Sequence, residues 1–99
     1  MGVYLIFIRE STSDQSALAT YMQQAPGTLS GFPVKVHVFG GHHEALEGPS
    51  PETVIIIEFP TVEAAKEWYE SPAYQAARQV RLKGTEYRVI LVEGVPAGS

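Results

Sequence analysis

The chain has 99 residues, a net charge of −4, 44% hydrophobic residues and no cysteine. This length suits one small domain, and the ordinary apolar content argues against disorder. Without cysteine there is no disulfide, thiolate metal site or thiol nucleophile, and without a stripe of Lys and Arg there is no sign of a nucleic-acid partner.

The chain opens on an apolar run, Val3–Ile8, followed at once by Arg9-Glu10. The run is too short for a membrane span or a secretory signal. Ile6 stands where a myristoylation signal needs Ser or Thr. These features point to the cytoplasm. A first strand is expected over Val3–Arg9. A helix follows, in which Leu18, Tyr21, Met22 and Ala25 have i, i+3, i+4, i+7 spacing. Thr12 with Gln15 forms a capping-box pattern at its start, and Pro26-Gly27 ends it.

A second strand is expected over Val34–Phe39 and a third over Thr53–Phe59. Between them Gly40 to Glu52 is long for a hairpin, a length often tied to function or to an interface. After Phe59-Pro60, Thr61 is placed to cap a helix whose inner face carries Val62, Ala65, Trp68 and Tyr69. Ser71-Pro72 breaks this helix and restarts it, since Ser caps and Pro is tolerated in the first turn. Ala73, Ala76, Ala77 and Val80 form the apolar stripe of the continuation, which Lys83-Gly84 closes. A last strand covers Tyr87–Glu93. The domain is expected over residues 1–95, with 96–99 a frayed tail.

The order β-α-β-β-α-β predicts an α+β fold: a ferredoxin-like sandwich with a four-stranded antiparallel sheet. Its strands are apolar on both faces. Val3, Leu5 and Phe7 oppose Tyr4, Ile6 and Ile8, and Ile55, Ile57 and Phe59 oppose Val54 and Ile56. Two helical regions cover one face, which leaves about eight to ten large apolar side chains open, each worth about 1.5–3 kcal/mol on burial. Their sum, on the order of 12–30 kcal/mol, rivals the net stability of a small domain, about 5–15 kcal/mol. The expected remedy is a homodimer in which two sheets pack face to face.

Several side chains are candidates for chemistry. His37 lies mid-strand, with Lys35 and Phe39 expected on its face, and reads as a general base or as a partly exposed sheet histidine. Glu58 closes an apolar strand and reads as a tuned acid or base, or as a member of a rim ion pair. Arg81 shares the inner side of the last helix with Tyr74 and Ala77, so it receives an anionic ligand or pairs with Glu58 or Glu93. Trp68, Tyr69, Tyr21 and Tyr74 face inward at helical spacing, as core or as the walls of a pocket for a flat organic ligand. His42-His43-Glu44 lacks the spacing of a metal motif and reads as a surface loop, so no metal is expected.

Gly40-Gly41, Leu46-Glu47-Gly48, Glu58-Phe59-Pro60, Ala65 with Trp68-Tyr69, Ser71-Pro72 with Tyr74, Arg81, and Val92-Glu93-Gly94 together resemble a small bacterial family, domain-of-unknown-function family 1330. The resemblance runs from Tyr4 to Val95. It implies the dimeric α+β barrel superfamily and no particular reaction. Many members carry Arg before the glycine pair, where this chain has Phe39, which implies a less charged ligand here. The wider superfamily includes cofactor-free monooxygenases, haem-degrading monooxygenases, muconolactone isomerases and stress-response barrels. The haem-degrading type uses an Asn-Trp-His site, which a chain without Asn cannot complete.

Two functions follow as expectations. The first is an enzyme without a tightly bound cofactor, acting on a small aromatic or carbonyl-containing metabolite by oxygenation or isomerisation. His37 or Glu58 moves protons, Arg81 holds an oxyanion, and Tyr21, Trp68 and Tyr74 shape the pocket. The second is a non-catalytic small-ligand-binding or stress-associated protein using the same pocket.

Overall fold

The computed structural model describes residues 2–96; the rest of the expected tail lies outside the described residues. Strand β1 covers Val3–Thr12, helix α1 Gln15–Gln24, a 3₁₀ turn Pro26–Leu29, β2 Lys35–Phe39, β3 Thr53–Phe59, α2 Val62–Tyr69, α3 Pro72–Leu82 and β4 Thr85–Glu93. The strands form one antiparallel sheet in the order β2-β3-β1-β4. This is the expected α+β architecture, and the helices lie on one face of the sheet.

The helix boundaries follow from local hydrogen bonding. Thr61 caps α2 by accepting from the Ala64 N–H, and Ser71 caps α3 by accepting from the Tyr74 N–H, with Pro72 in the first turn. The expected Thr12–Gln15 box does not form. Thr12 belongs to β1 and donates to Glu52, while the Asp14 carboxylate caps α1 by accepting from the N–H groups of Ser16 and Ala17. These hydrogen bonds, with that from the Ser16 hydroxyl, hold the Asp14 carboxyl below the usual carboxylate range. Gly84 makes this junction possible. Its carbonyl accepts from Ser13 and Asp14, and a Cβ there would lie 2.7 Å from the Asp14 Cβ.

On the helix face Val3, Leu5, Phe7, Ile57 and Phe59 are buried against Ala65, Trp68, Tyr74 and Ala77, with Tyr21 and Ala25 of the α1 region completing the core. Helix α2 lies against β1 and β3, while α3 packs on α1 and reaches β4. The core is aromatic: the Trp68 and Tyr74 ring centroids are 4.3 Å apart and Phe59 stacks on Trp68 at 5.8 Å. Tyr21 meets Tyr74 edge-on, and their hydroxyls are 2.9 Å apart. The bond lets two buried phenols satisfy each other without water.

Burial pushes the hydroxyls of Tyr21 and Tyr74 above the ordinary phenol range. The folded state therefore keeps protons that the unfolded chain releases above about pH 10. Stability is expected to be full below that pH and to fall above it, by up to about 2.7 kcal/mol per pH unit for the two groups together. Denaturant titrations from neutral pH to about pH 11 measure this loss, and the ultraviolet signal of native tyrosinate should lack both residues until the chain unfolds.

Candidate functional site

The helices do not reach the β2 edge of the sheet, and a shallow cleft of about 50 Å³, open to solvent, remains there. Its walls are Phe7, Tyr21, Met22, Ala25, Pro26, Leu29, Val36, Phe39, Ile55, Ile57 and Trp68. Trp68 is held in place by its indole N–H, which donates to the Thr28 hydroxyl at 3.0 Å, and that hydroxyl donates to the Ala25 carbonyl at 2.6 Å. Tyr21 offers the cleft its ring, while its hydroxyl is engaged with Tyr74. The walls hold no carboxylate, imidazole, ammonium or guanidinium. Such a cleft is apolar and has no group placed to act as acid or base within it.

Tyr74 is fully buried behind Trp68 and is not part of the wall. Arg81 is buried too, at 3% exposure, and also stands outside the wall. Its guanidinium carbon is 4.8 Å from the Tyr87 ring centroid and 5.6 Å from that of Tyr21. Among the described residues no carboxylate comes within ion-pair distance of it, and its Nε has no hydrogen-bond partner. The faces of two aromatic rings, and its place in the last turn of α3, offset part of the cost of burying this charge. Neither Glu58 nor Glu93, the partners expected from the sequence, is paired with it.

Glu58 lies on the opposite, open face of the sheet, in the same row as Tyr4. There its Oε1 is 2.6 Å from the Nε2 of His37, and the His37 ring is 5.7 Å from that of Tyr4. The carboxylate packs over Gly2, where a Cβ would collide with it. His37 thus meets Glu58, but it does not share a face with Phe39 as expected. Val36 pairs with Ile57 and Val38 with Ile56, so a β-bulge at His37 inserts one residue into β2. The bulge turns Phe39 to the helix side, opposite Ile55. The loop histidines stand apart: His43 Nε2 contacts the Pro51 carbonyl at 2.7 Å, and His42 is exposed beside Glu44.

The predicted residues therefore form two groups separated by the sheet. Tyr21 and Trp68, backed by Tyr74 and Arg81, belong to the cleft side; His37 and Glu58 belong to the open side. Sequence reasoning missed Phe39, Met22, Leu29 and Ile55 as cleft walls. The inner-face spacing of Met22 and Ala25 was a usable signal, whereas the orientation of Phe39 depends on the bulge.

A protein of unknown function from Rhodopseudomonas palustris shares the fold with a TM-score of 0.74 and 21% identity, over 96% of this chain and 83% of that one. A protein from Bacteroides fragilis, described as dimeric, of unknown function and ferredoxin-like, aligns with a TM-score of 0.68 and 14% identity over 94% of this chain and 96% of that one. A ferredoxin-like dabb family protein from Mesorhizobium loti gives a TM-score of 0.68 and 14% identity over 97% of this chain and 100% of that one. None of the curated proteins compared with the chain matches it. The pattern of the family described as a domain of unknown function, DUF1330, matches residues 2–95, and the chain belongs to that family.

Proposed function

We propose that the protein is a homodimer joined through its open sheet faces, in which each subunit's cleft takes up a small, flat, mainly apolar organic molecule without a tightly bound cofactor. The cleft carries this reading: an apolar space walled by Phe7, Tyr21 and Trp68 on a rigid sheet. The dimer is supported by the open face, where Tyr4, Ile6, Ile8, Val38, Val54, Ile56, Ile90 and Val92 remain wholly or partly uncovered. An apolar patch of this kind calls for a partner. The Bacteroides fragilis protein of the same fold is described as dimeric, in keeping with that partner being a second copy. Among the described residues no helix is long and apolar enough to cross a membrane.

A catalytic reading is favoured by one observation, the 2.6 Å contact between His37 and Glu58. A carboxylate on one imidazole nitrogen orients the ring and supports proton uptake at the other. The pair lies at the β2 edge of the open face, which two facing sheets would border. On this reading His37 takes a proton from a weakly acidic metabolite and Glu58 stabilises the cation that results. His37→Gln is then expected to abolish turnover while leaving uptake by the cleft unchanged; loss of uptake in this variant would place both groups in one site.

The dimer is tested by native mass spectrometry and sizing at micromolar concentration. The wild-type chain should run as a dimer and Ile6→Glu, at the centre of the open face, as a monomer. A monomeric wild type overturns the dimer. The role of Arg81 separates by size and charge. Arg81→Ala should cost about 2–4 kcal/mol through the space it leaves, whereas Arg81→Met should be neutral or stabilising because it removes an unpaired buried charge. Weaker ligand uptake by a well-folded Arg81→Met variant would make Arg81 part of the binding site.

A further inference from the structure

We infer that a second groove, between α2 and β4, is a binding site for a free α-amino acid with an apolar side chain. It shares no wall with the cleft at the β2 edge, so failure of one site leaves the other untouched.

The groove has about 250 Å³ of room, against about 50 Å³ in the cleft. It exists because of where the helices run. Helix α2 lies over β1 and β3, while α3 meets the start of β4, where the Thr85 hydroxyl donates to the Arg81 carbonyl and Arg81 lies over the Tyr87 ring. Further along β4, Val89 and Leu91 stay half-buried on the face they share with Leu5. These three side chains form an aliphatic floor, and Ala65 and Tyr69 of α2 form the wall. That wall is fixed. The Tyr69 and Tyr74 ring centroids are 5.3 Å apart, the Gln75 side chain donates to the Tyr69 carbonyl at 2.6 Å, and the Ser71 hydroxyl donates to the Trp68 carbonyl at 2.7 Å. A preformed apolar space with a few polar groups at its edge is the usual form of a small-molecule site.

The edge supplies the selectivity. Lys66 and Glu70 both line the groove and are both exposed, so they stand at its mouth. Four residues apart, they share one face of α2, in the weaker order for a helical salt bridge. Among the described residues neither is in an ion pair. Glu70 is also the C-cap of α2, where the helix dipole disfavours a carboxylate, so the helix itself gives no reason for its charge. An ammonium and a carboxylate held apart above an aliphatic floor match a ligand with both charges on one carbon and an apolar side chain. Its carboxylate meets Lys66, its ammonium meets Glu70, and its side chain lies against Leu5, Val89 and Leu91. A fatty acid or an apolar amine would satisfy one of the two charges and leave the other unmatched. The groove is on the helix side of the sheet, so a dimer joined through the open faces leaves it accessible.

The probes are L-leucine, 4-methylpentanoate, which lacks its ammonium, and 3-methylbutylamine, which lacks its carboxylate. Methyl-resolved NMR of the full chain locates the site, and calorimetry gives the affinities. L-leucine should shift the methyl signals of Leu5, Val89 and Leu91 saturably and leave those of Met22 and Ile55, in the other cleft, in place. It should bind at least about tenfold tighter than either analogue. Lys66→Met should weaken L-leucine about tenfold and leave 3-methylbutylamine unchanged. Glu70→Gln should weaken L-leucine by about as much and leave 4-methylpentanoate no weaker. Both positions are exposed, so wild-type circular dichroism and melting temperature should persist. If a variant fails to fold, the three ligands on the wild-type chain still decide. Either analogue binding as tightly as L-leucine overturns the zwitterion. No saturable shift up to about 10 mM overturns the site. Saturable shifts confined to Met22 and Ile55 also overturn it, and leave the cleft at the β2 edge as the place of uptake.

Discussion

A four-stranded sheet with apolar side chains on both faces, and helices enough for part of one, is the constraint on which the rest of this structure depends. Burial of Phe59, Leu5 and Ile57 under α2 and α3 forms the core. It also uses up the helical cover before the β2 edge is reached. The cleft is part of what remains of the same apolar face; a second and roomier one, lined by Leu5, Ala65, Tyr69, Val89 and Leu91, lies between α2 and β4. The open face is the larger remainder. One shortage of covering surface thus produces both a concave space on one side and a flat apolar surface on the other.

The polar groups placed within this apolar frame meet the cost of burial in different ways. Tyr21 and Tyr74 satisfy each other and stay neutral. His37 and Glu58 stay at the surface of the sheet, where water still reaches them, and keep a short contact. Arg81 has neither remedy and relies on the faces of Tyr21 and Tyr87. An aromatic box is a weaker partner than a carboxylate, but its rings also belong to the core, so the side chain contributes packing through its stem as well as its charge.

Where a residue's role is fixed by its immediate neighbours, the sequence was sufficient. Thr61 and Ser71-Pro72 announce helix starts because a cap needs only a hydroxyl and the next three N–H groups. The two-faced strands announced the open sheet face because alternation is a local property. Roles set by distant residues were less legible. Thr12 looked like a cap, but Glu52 across the sheet engages it and leaves that position to Asp14. Arg81 looked like half of an ion pair, because spacing along α3 shows which side it is on but not whether Tyr21 and Tyr87 or a carboxylate lies opposite. Nothing local reveals that strands β2 and β3 bring His37 and Glu58 together.

The bulge at His37 has a consequence for how sequences of this kind are compared. A one-residue irregularity in β2 uncouples position from orientation: residues before it follow one parity and those after it the other. Two chains that differ in β2 by the presence of such a bulge can carry the same amino acid in the same alignment column on opposite sides of the sheet. Around this strand, a gap of a single residue therefore carries more structural information than several substitutions, and residue identity at the column of Phe39 is meaningful only once the length of β2 has been matched.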